Sequence, residues 1–116
     1  MKVILPWPDR KLSPNARVHW AQKSKAAKAA RMTAFATLFA EARHIVNWEG
    51  DVHVQLDFYP PSKRRYDLDN CIASMKSSLD GIADALSVDD SRFCLHTKMH
   101  AEVRGLVEVT ITKDKP

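Results

Sequence analysis

The sequence predicts an α+β domain: a small mixed β-sheet with two main helices, in the order β-α-β-α-β-β. Three patterns carry that expectation. Residues 52–59 and 94–103 alternate apolar and polar side chains with the period of two that a strand requires. Residues 68–86 repeat apolar side chains at helical spacing, and residues 20–44 are rich in alanine, the strongest helix former.

Taken in order, Lys2-Val3-Ile4-Leu5 reads as a short strand, ended by Pro6-Trp7-Pro8 because proline donates nothing to a ladder. A polar loop runs through Asn15, and a long helix is expected from about Trp20 to His44. Phe35, Leu38, Phe39 and Ala42 fall at i, i+3, i+4 and i+7, which predicts a core stripe in its second half. Lys28 and Arg31 fall near the same angular sector one to two turns earlier, so the first half projects cations. In the next strand Val52, Val54, Leu56 and Phe58 face one way and His53, Gln55, Asp57 and Tyr59 the other, until Pro60-Pro61 stops it. Leu68, Ile72, Met75, Leu79, Ile82 and Leu86 step by 4, 3, 4, 3 and 4, one apolar seam on a helix of about five turns. Residues 94–103 alternate again, Arg104-Gly105 turns the chain, and Val107, Val109 and Ile111 face the core from a last strand.

The 116 residues, 45% of them hydrophobic and only three of them glycine, suit one globular domain spanning 1–116. No apolar run approaches the roughly 18 residues of a membrane helix, and the first eight residues are too short and proline-rich for a signal peptide, so a cytoplasmic protein with no membrane partner is expected. Cys71 and Cys94 lack zinc-ligand spacing and are expected to remain thiols, which excludes a disulfide scaffold and a zinc finger.

Charge is divided along the chain. Residues 1–65 hold 12 basic and 5 acidic side chains, net +7; residues 66–116 hold 6 and 9, net −3. Between Arg10 and Ala40 there are seven Lys or Arg and no carboxylate. A surplus of cations suits a polyanion, because each neutralised phosphate releases counterions; a lopsided soluble surface is the plainer alternative. Lys23, Lys25, Lys28 and Arg31 on the helix, Asn15 and Arg17 in the loop before it, and Lys63, Arg64 and Arg65 are the candidate DNA contacts, of the kind that position a backbone without reading its sequence. His19 is a further loop candidate. His96, Lys98 and His100 share a strand face that is either an exposed polar surface or a phosphate or metal site. Trp7, Trp20 and Trp48 are core or dimer-interface anchors, or wedges into DNA.

The segment Lys63-Arg64-Arg65-Tyr66-Asp67-Leu68-Asp69-Asn70 sets a basic cluster directly before D-x-D-N at a helix start. Asp67 as an N-cap and Asp69 as a first-turn charge is one reading. The other joins them with Asp89 and Asp90 as four converging carboxylates, hard oxygen ligands suited to Mg²⁺ or Mn²⁺ rather than zinc. An EF-hand is excluded, because counting from Asp67 puts Ile72 where the glycine belongs and Ser78 where the glutamate belongs.

Together, Leu5-Pro6-Trp7-Pro8, Arg64-Arg65-Tyr66-Asp67-Leu68-Asp69-Asn70, Lys76, Asp80-Gly81-Ile82, Leu86 and Val88-Asp89-Asp90 resemble the RusA family of small, typically prophage-encoded Holliday-junction resolvases. The resemblance covers most of the chain; its N-terminal part is short. It implies a RusA-like fold and a homodimer that cuts four-way, branched DNA junctions with Mg²⁺ by paired symmetric nicks, in DNA recombination and repair. By resemblance, Asp67 and Asp69 match the two motif aspartates, Asp90 the third essential carboxylate, and Asp89 its neighbour at the metal. The family also has an essential lysine on this helix, about one turn after the second motif aspartate in its best-known member. Lys76 departs from that spacing: it lies seven residues after Asp69, a rise of about 10.5 Å at 1.5 Å per residue. Asp69, Ala73, Lys76 and Asp80 share a helix face, so Lys76 is either a catalytic cation or half of a surface pair with Asp80. A DNA-binding accessory protein without chemistry, and a nuclease for flaps or other branched DNA, are the rival functions.

Overall fold

Val52, Val54, Leu56 and Phe58 are fully buried, as their alternation predicts, and the strand that carries them lies inside the sheet. In the computed structural model, which describes residues 1–42 and 48–114, strands β1 (Lys2–Pro6), β2 (Val52–Tyr59), β3 (Phe93–Met99) and β4 (Leu106–Thr112) form one mixed sheet in the order β1-β4-β2-β3. Strand β4 pairs antiparallel with both neighbours, Val109 opposite Val3 on one side and Leu56 on the other. Strands β2 and β3 are parallel, with Val54 opposite Leu95. A parallel pair needs a crossover, which α2 (Leu68–Ala73) and α3 (Lys76–Leu86) supply. Helix α1 (Trp20–Ala42) joins β1 to β2. Val3, Leu5, Val107, Val109 and Ile111 meet Ala34, Leu38, Met75, Leu79, Ile82 and Leu86 in a single core between sheet and helices.

Several expectations change. The seam from Leu68 to Leu86 does face the core, but two helices carry it rather than one. At the break the Ser74 hydroxyl donates to the Asn70 carbonyl at 2.8 Å, and the Met75 amide reaches back only three residues, to Ile72. A side chain competing for an i−4 carbonyl tightens and bends a helix locally, and Met75 sits at φ −90°, ψ 0° before the Leu79 amide restores the α pattern at 2.8 Å.

The core stripe on α1 is narrower than Phe35, Leu38, Phe39 and Ala42 suggest. Leu38 and Ala34 are buried, while Phe39 is 56% exposed and Phe35 39%, stacked on each other at 5.4 Å between centroids. The cause lies on the partner helix. Gly81 of α3 brings the backbones together, so small residues of α1 turn inward and the phenylalanines stand to the side; an ideal Cβ on Gly81 would lie 2.2 Å from the Arg31 carbonyl oxygen and 3.1 Å from the Ala34 Cβ. Arg31 adds a bidentate clasp to Asp84, at 2.7 and 3.0 Å. It holds the Asp84 carboxyl below its ordinary range, so this contribution is present above the usual carboxylate pKa and is lost as pH falls through the lowered one. The predicted end of the helix at His44 lies outside the described residues.

Strand β3 ends at Met99 rather than 103, because Pro60 ends its partner β2. The chain turns there, with the Arg104 and Gly105 amides both donating to the Pro60 carbonyl at 3.1 Å and Gly105 at φ +68°. The second face of β2 is not simply solvated either. His53 and Asp57 are buried against neighbouring histidine side chains, His53 against His96 of β3 at 3.0 Å and Asp57 against His100 at 2.7 Å. His100 also stacks on Tyr59, 4.3 Å between centroids. Both cysteines are free thiols. Of the tryptophans, Trp48 is buried in the core, Trp7 is packed against its rim, and Trp20 is 76% exposed.

Helix α3 ends on Ser87 at φ +55°, with the Val88 amide closing back on the Ala83 carbonyl at 3.1 Å. Left-handed backbone is costly for any residue with a Cβ. Ser87→Gly is therefore expected to stabilise the domain by about 0.5–1 kcal/mol, a rise of a few degrees in Tm by circular dichroism; an unchanged or lower Tm would contradict it.

Candidate nucleic-acid interface and acidic site

Asp67 is the N-cap of α2: its backbone is extended and its Oδ1 accepts the Asp69 amide at 2.9 Å. The Cys71 amide donates to the Asp67 carbonyl at 3.0 Å. Burial, reinforced by the negative charge of Asp67, pushes the Cys71 thiol up, so this cysteine is no activated nucleophile. Asp69 is exposed in the first turn, where the helix dipole favours a carboxylate.

A second acidic group forms at the start of α3. The Lys76 ammonium donates to Asp80 Oδ1 at 2.8 Å and to Asp90 Oδ2 at 3.0 Å. These two bonds raise the Lys76 pKa above its ordinary value. Lys76 therefore joins the helix to the loop before β3, a contact that sequence spacing suggested only for Asp80. Asp89 caps the short 3₁₀ turn Asp90–Arg92, accepting the Ser91 amide at 2.9 Å. The bonds from Ser91 hold the Asp89 carboxyl below the usual range.

Beside Asp67 opens a cleft of about 490 Å³, walled by Trp7, Asp9, Tyr66, Asn70 and the arginines Arg10, Arg64 and Arg65. It adjoins a depression of about 510 Å³ that shares Arg10, Ser13 and Arg64 with it and continues along Lys11, Asn15, Arg17 and Gln22, with no carboxylate in its lining. The N-terminal loop and the Lys63–Arg65 loop, some fifty residues apart in the chain, thus line one basic groove that reaches Asp67.

No protein-family model matches the chain. Over 119 aligned residues, covering 95% of this chain and 74% of the relative, it is 45% identical to an uncharacterized protein of Xylella fastidiosa (strain Temecula1 / ATCC 700964). The chain belongs to that protein's family.

The predicted site residues divide into groups in this family member. Asn15, Arg17, Arg64 and Arg65 line the groove. Lys63 lines a separate depression that shares Arg64, Arg65 and Tyr66 with the cleft and reaches His100. Lys25 and Lys28 are exposed on α1, Lys23 is half-buried there, and Arg31 is held by Asp84. His19 caps α1, its Nδ1 accepting the Ala21 amide at 3.1 Å. Arg10 and Lys11 open the acid-free stretch, but their closeness to Arg64 is a tertiary property with no local signature. Trp7 and Tyr66 entered as parts of a motif, and the fold makes them a cleft wall.

The acidic set matches Mg²⁺ in kind but not in placement. All its donors are carboxylate oxygens, yet among the described residues no three His, Cys, Asp or Glu gather into a group able to hold a metal ion. Asp90 and Asp80 are instead turned onto the Lys76 ammonium. Among the described residues, no helix is long and apolar enough to cross a membrane.

Proposed function

We propose that the protein is a structure-selective endodeoxyribonuclease that resolves four-way DNA junctions in recombination and repair. The observation that carries this reading is the continuous basic groove from Arg17 to Arg65 that ends at Asp67, with Lys76 and Asp90 one helix further on. A phosphate backbone lies well on such a groove, because its cations neutralise charge without needing base contacts. The D-x-D-N and Asp-Asp segments that resemble the RusA family supply the acids. In this reading Asp67, Asp69 and Asp90, with Asp89 beside them, are the carboxylates that would hold Mg²⁺, or Mn²⁺ in its place, which would supply a polarised water and neutralise charge on the phosphate. Lys76, beside Asp90, would be the cation for the negative charge that develops on phosphate. A cytoplasmic, prophage-encoded protein fits this activity.

Two symmetric cuts call for two sites related by a dyad, hence a homodimer. The Leu68–Leu86 seam is used up inside the core. Helix α1 presents Met32, Phe35 and Phe39 outward and is the surface proposed for the second subunit.

The test is cleavage of a labelled mobile four-way junction in Mg²⁺, beside matched linear duplex and a flap, by wild type and Asp69→Asn. Paired symmetric nicks on the junction alone are expected, reduced at least about 10²-fold in the variant while junction binding persists. Salt-sensitive binding with no cleavage in Mg²⁺ or Mn²⁺ would instead make this a DNA-binding accessory protein. Equal cutting of flap and junction would keep a nuclease and discard junction resolution.

A further inference from the structure

We infer that the cleft beside Asp67 receives a single nucleotide unstacked from the branch point of bound DNA, its base against Trp7 and Tyr66 and its phosphate on Arg10 and Arg65. The inference rests on the DNA reading above and adds a place where the protein would sense that the DNA is branched.

The wall is aromatic and anchored. Trp7 packs edge-to-face on the buried Phe58, centroids 5.9 Å apart at 78°, and on Tyr66 at 5.2 Å and 67°. The Tyr66 hydroxyl is tied to Ser62 Oγ at 3.0 Å. The Arg64 guanidinium lies 4.8 Å from the Tyr66 ring centroid, a cation over a π-face that a base can slide beneath or replace, since guanidinium planes and aromatic rings both stack on nucleobases. The lining is also polar: Asn70 offers donors and an acceptor for the hydrogen-bonding edge of a base, while Asp9 and Asp67 are the cleft's carboxylates. At about 490 Å³ the cleft falls within the roughly 300–1,000 Å³ of small-ligand sites. A duplex is about 20 Å across and cannot enter it, whereas one swung-out nucleotide can. Unstacking costs less where a base has already lost a stacking neighbour, as at the exchange point between the arms of an open four-way junction. A pocket of this chemistry at the end of a phosphate-binding groove therefore favours branch points over continuous duplex, with no sequence read.

Photocrosslinking tests this. Four-way junctions carrying 5-iododeoxyuridine at the branch point, or ten base pairs into an arm, are bound in Ca²⁺ and irradiated, and the adducts are mapped by mass spectrometry. Branch-point adducts on Tyr66 or Trp7 are expected, with none from the arm position. At matched occupancy their yield should fall at least about fivefold in Tyr66→Leu, the scale of one lost base stack, and fall also in Arg64→Ala, an exposed position where folding is not at stake. Tight junction binding with adducts elsewhere, on the exposed Trp20 for example, or with equal yields from branch and arm, would overturn the pocket and leave the nuclease reading standing. Failure of the wild-type protein to bind the junction at all would overturn both.

Discussion

Gly81→Ala is expected to cost the domain at least about 2 kcal/mol and to lower its urea midpoint accordingly. At an exposed helical position the same change would stabilise by about 1 kcal/mol through propensity. Here the added methyl would sit 2.2 Å from the Arg31 carbonyl oxygen, and a backbone oxygen cannot rotate away as a side chain can. Helices α1 and α3 must separate, opening the layer where Ala34 and Leu38 meet Ile82 and stretching the Arg31–Asp84 clasp. A loss of this size is a large part of the roughly 5–15 kcal/mol that keeps a domain folded. A midpoint equal to or above wild type would show that the two helices do not meet at this glycine.

Lys76→Met is expected to leave stability within about 0.5 kcal/mol of wild type, because the side chain is two-thirds exposed and its pairs with Asp80 and Asp90 are screened by water. The proposed junction cleavage should nevertheless fall by about 10²-fold or more, the usual effect of losing one group that stabilises transition-state charge. The contrast is informative. Unchanged folding with lost cleavage and retained junction binding places Lys76 in the chemistry. Unchanged cleavage would reduce it to a surface link between α3 and the loop before β3, despite its 3.0 Å bond to Asp90. Lys76→Arg is the companion variant: it keeps the charge but spreads it over a planar fork, and partial rescue is expected.

Where local pattern and tertiary environment agree, the chain is readable. The alternation at 52–59 marks a strand with bounds matching those observed, because both faces of a central strand respect the period of two. The 4-3 seam marks the buried face of α2 and α3, although the Ser74 hydroxyl that splits the helix acts through a hydrogen bond no periodicity reports. Helix α1 is less legible. Alanine favours a helix but does not say which side is inside, and Phe35 and Phe39 outweighed Ala34 in a sequence pattern while losing to it in the fold. Among the candidate site residues, Asp67 and Asp69 are visible through their spacing, Asp67 also as an N-cap, and Lys76 through its helix face. The bond from Lys76 to Asp90, fourteen residues away, was not.

Composition, charge division and period alone determined that this chain makes an α+β domain with a basic N-terminal half and a D-x-D-N at the head of its second helical segment. Those properties depend on neighbours within a few residues, which the chain carries wherever it goes. The tertiary structure alone decided that Arg10 and Lys11 join Arg64 and Arg65 in one groove, that Trp7 and Tyr66 wall a cleft beside Asp67, and that Lys76 clasps Asp90. Each of these joins segments distant in sequence, and their meeting depends on the order β1-β4-β2-β3 and on the close approach of α1 to α3 at Gly81, where side chains compete for one shared core.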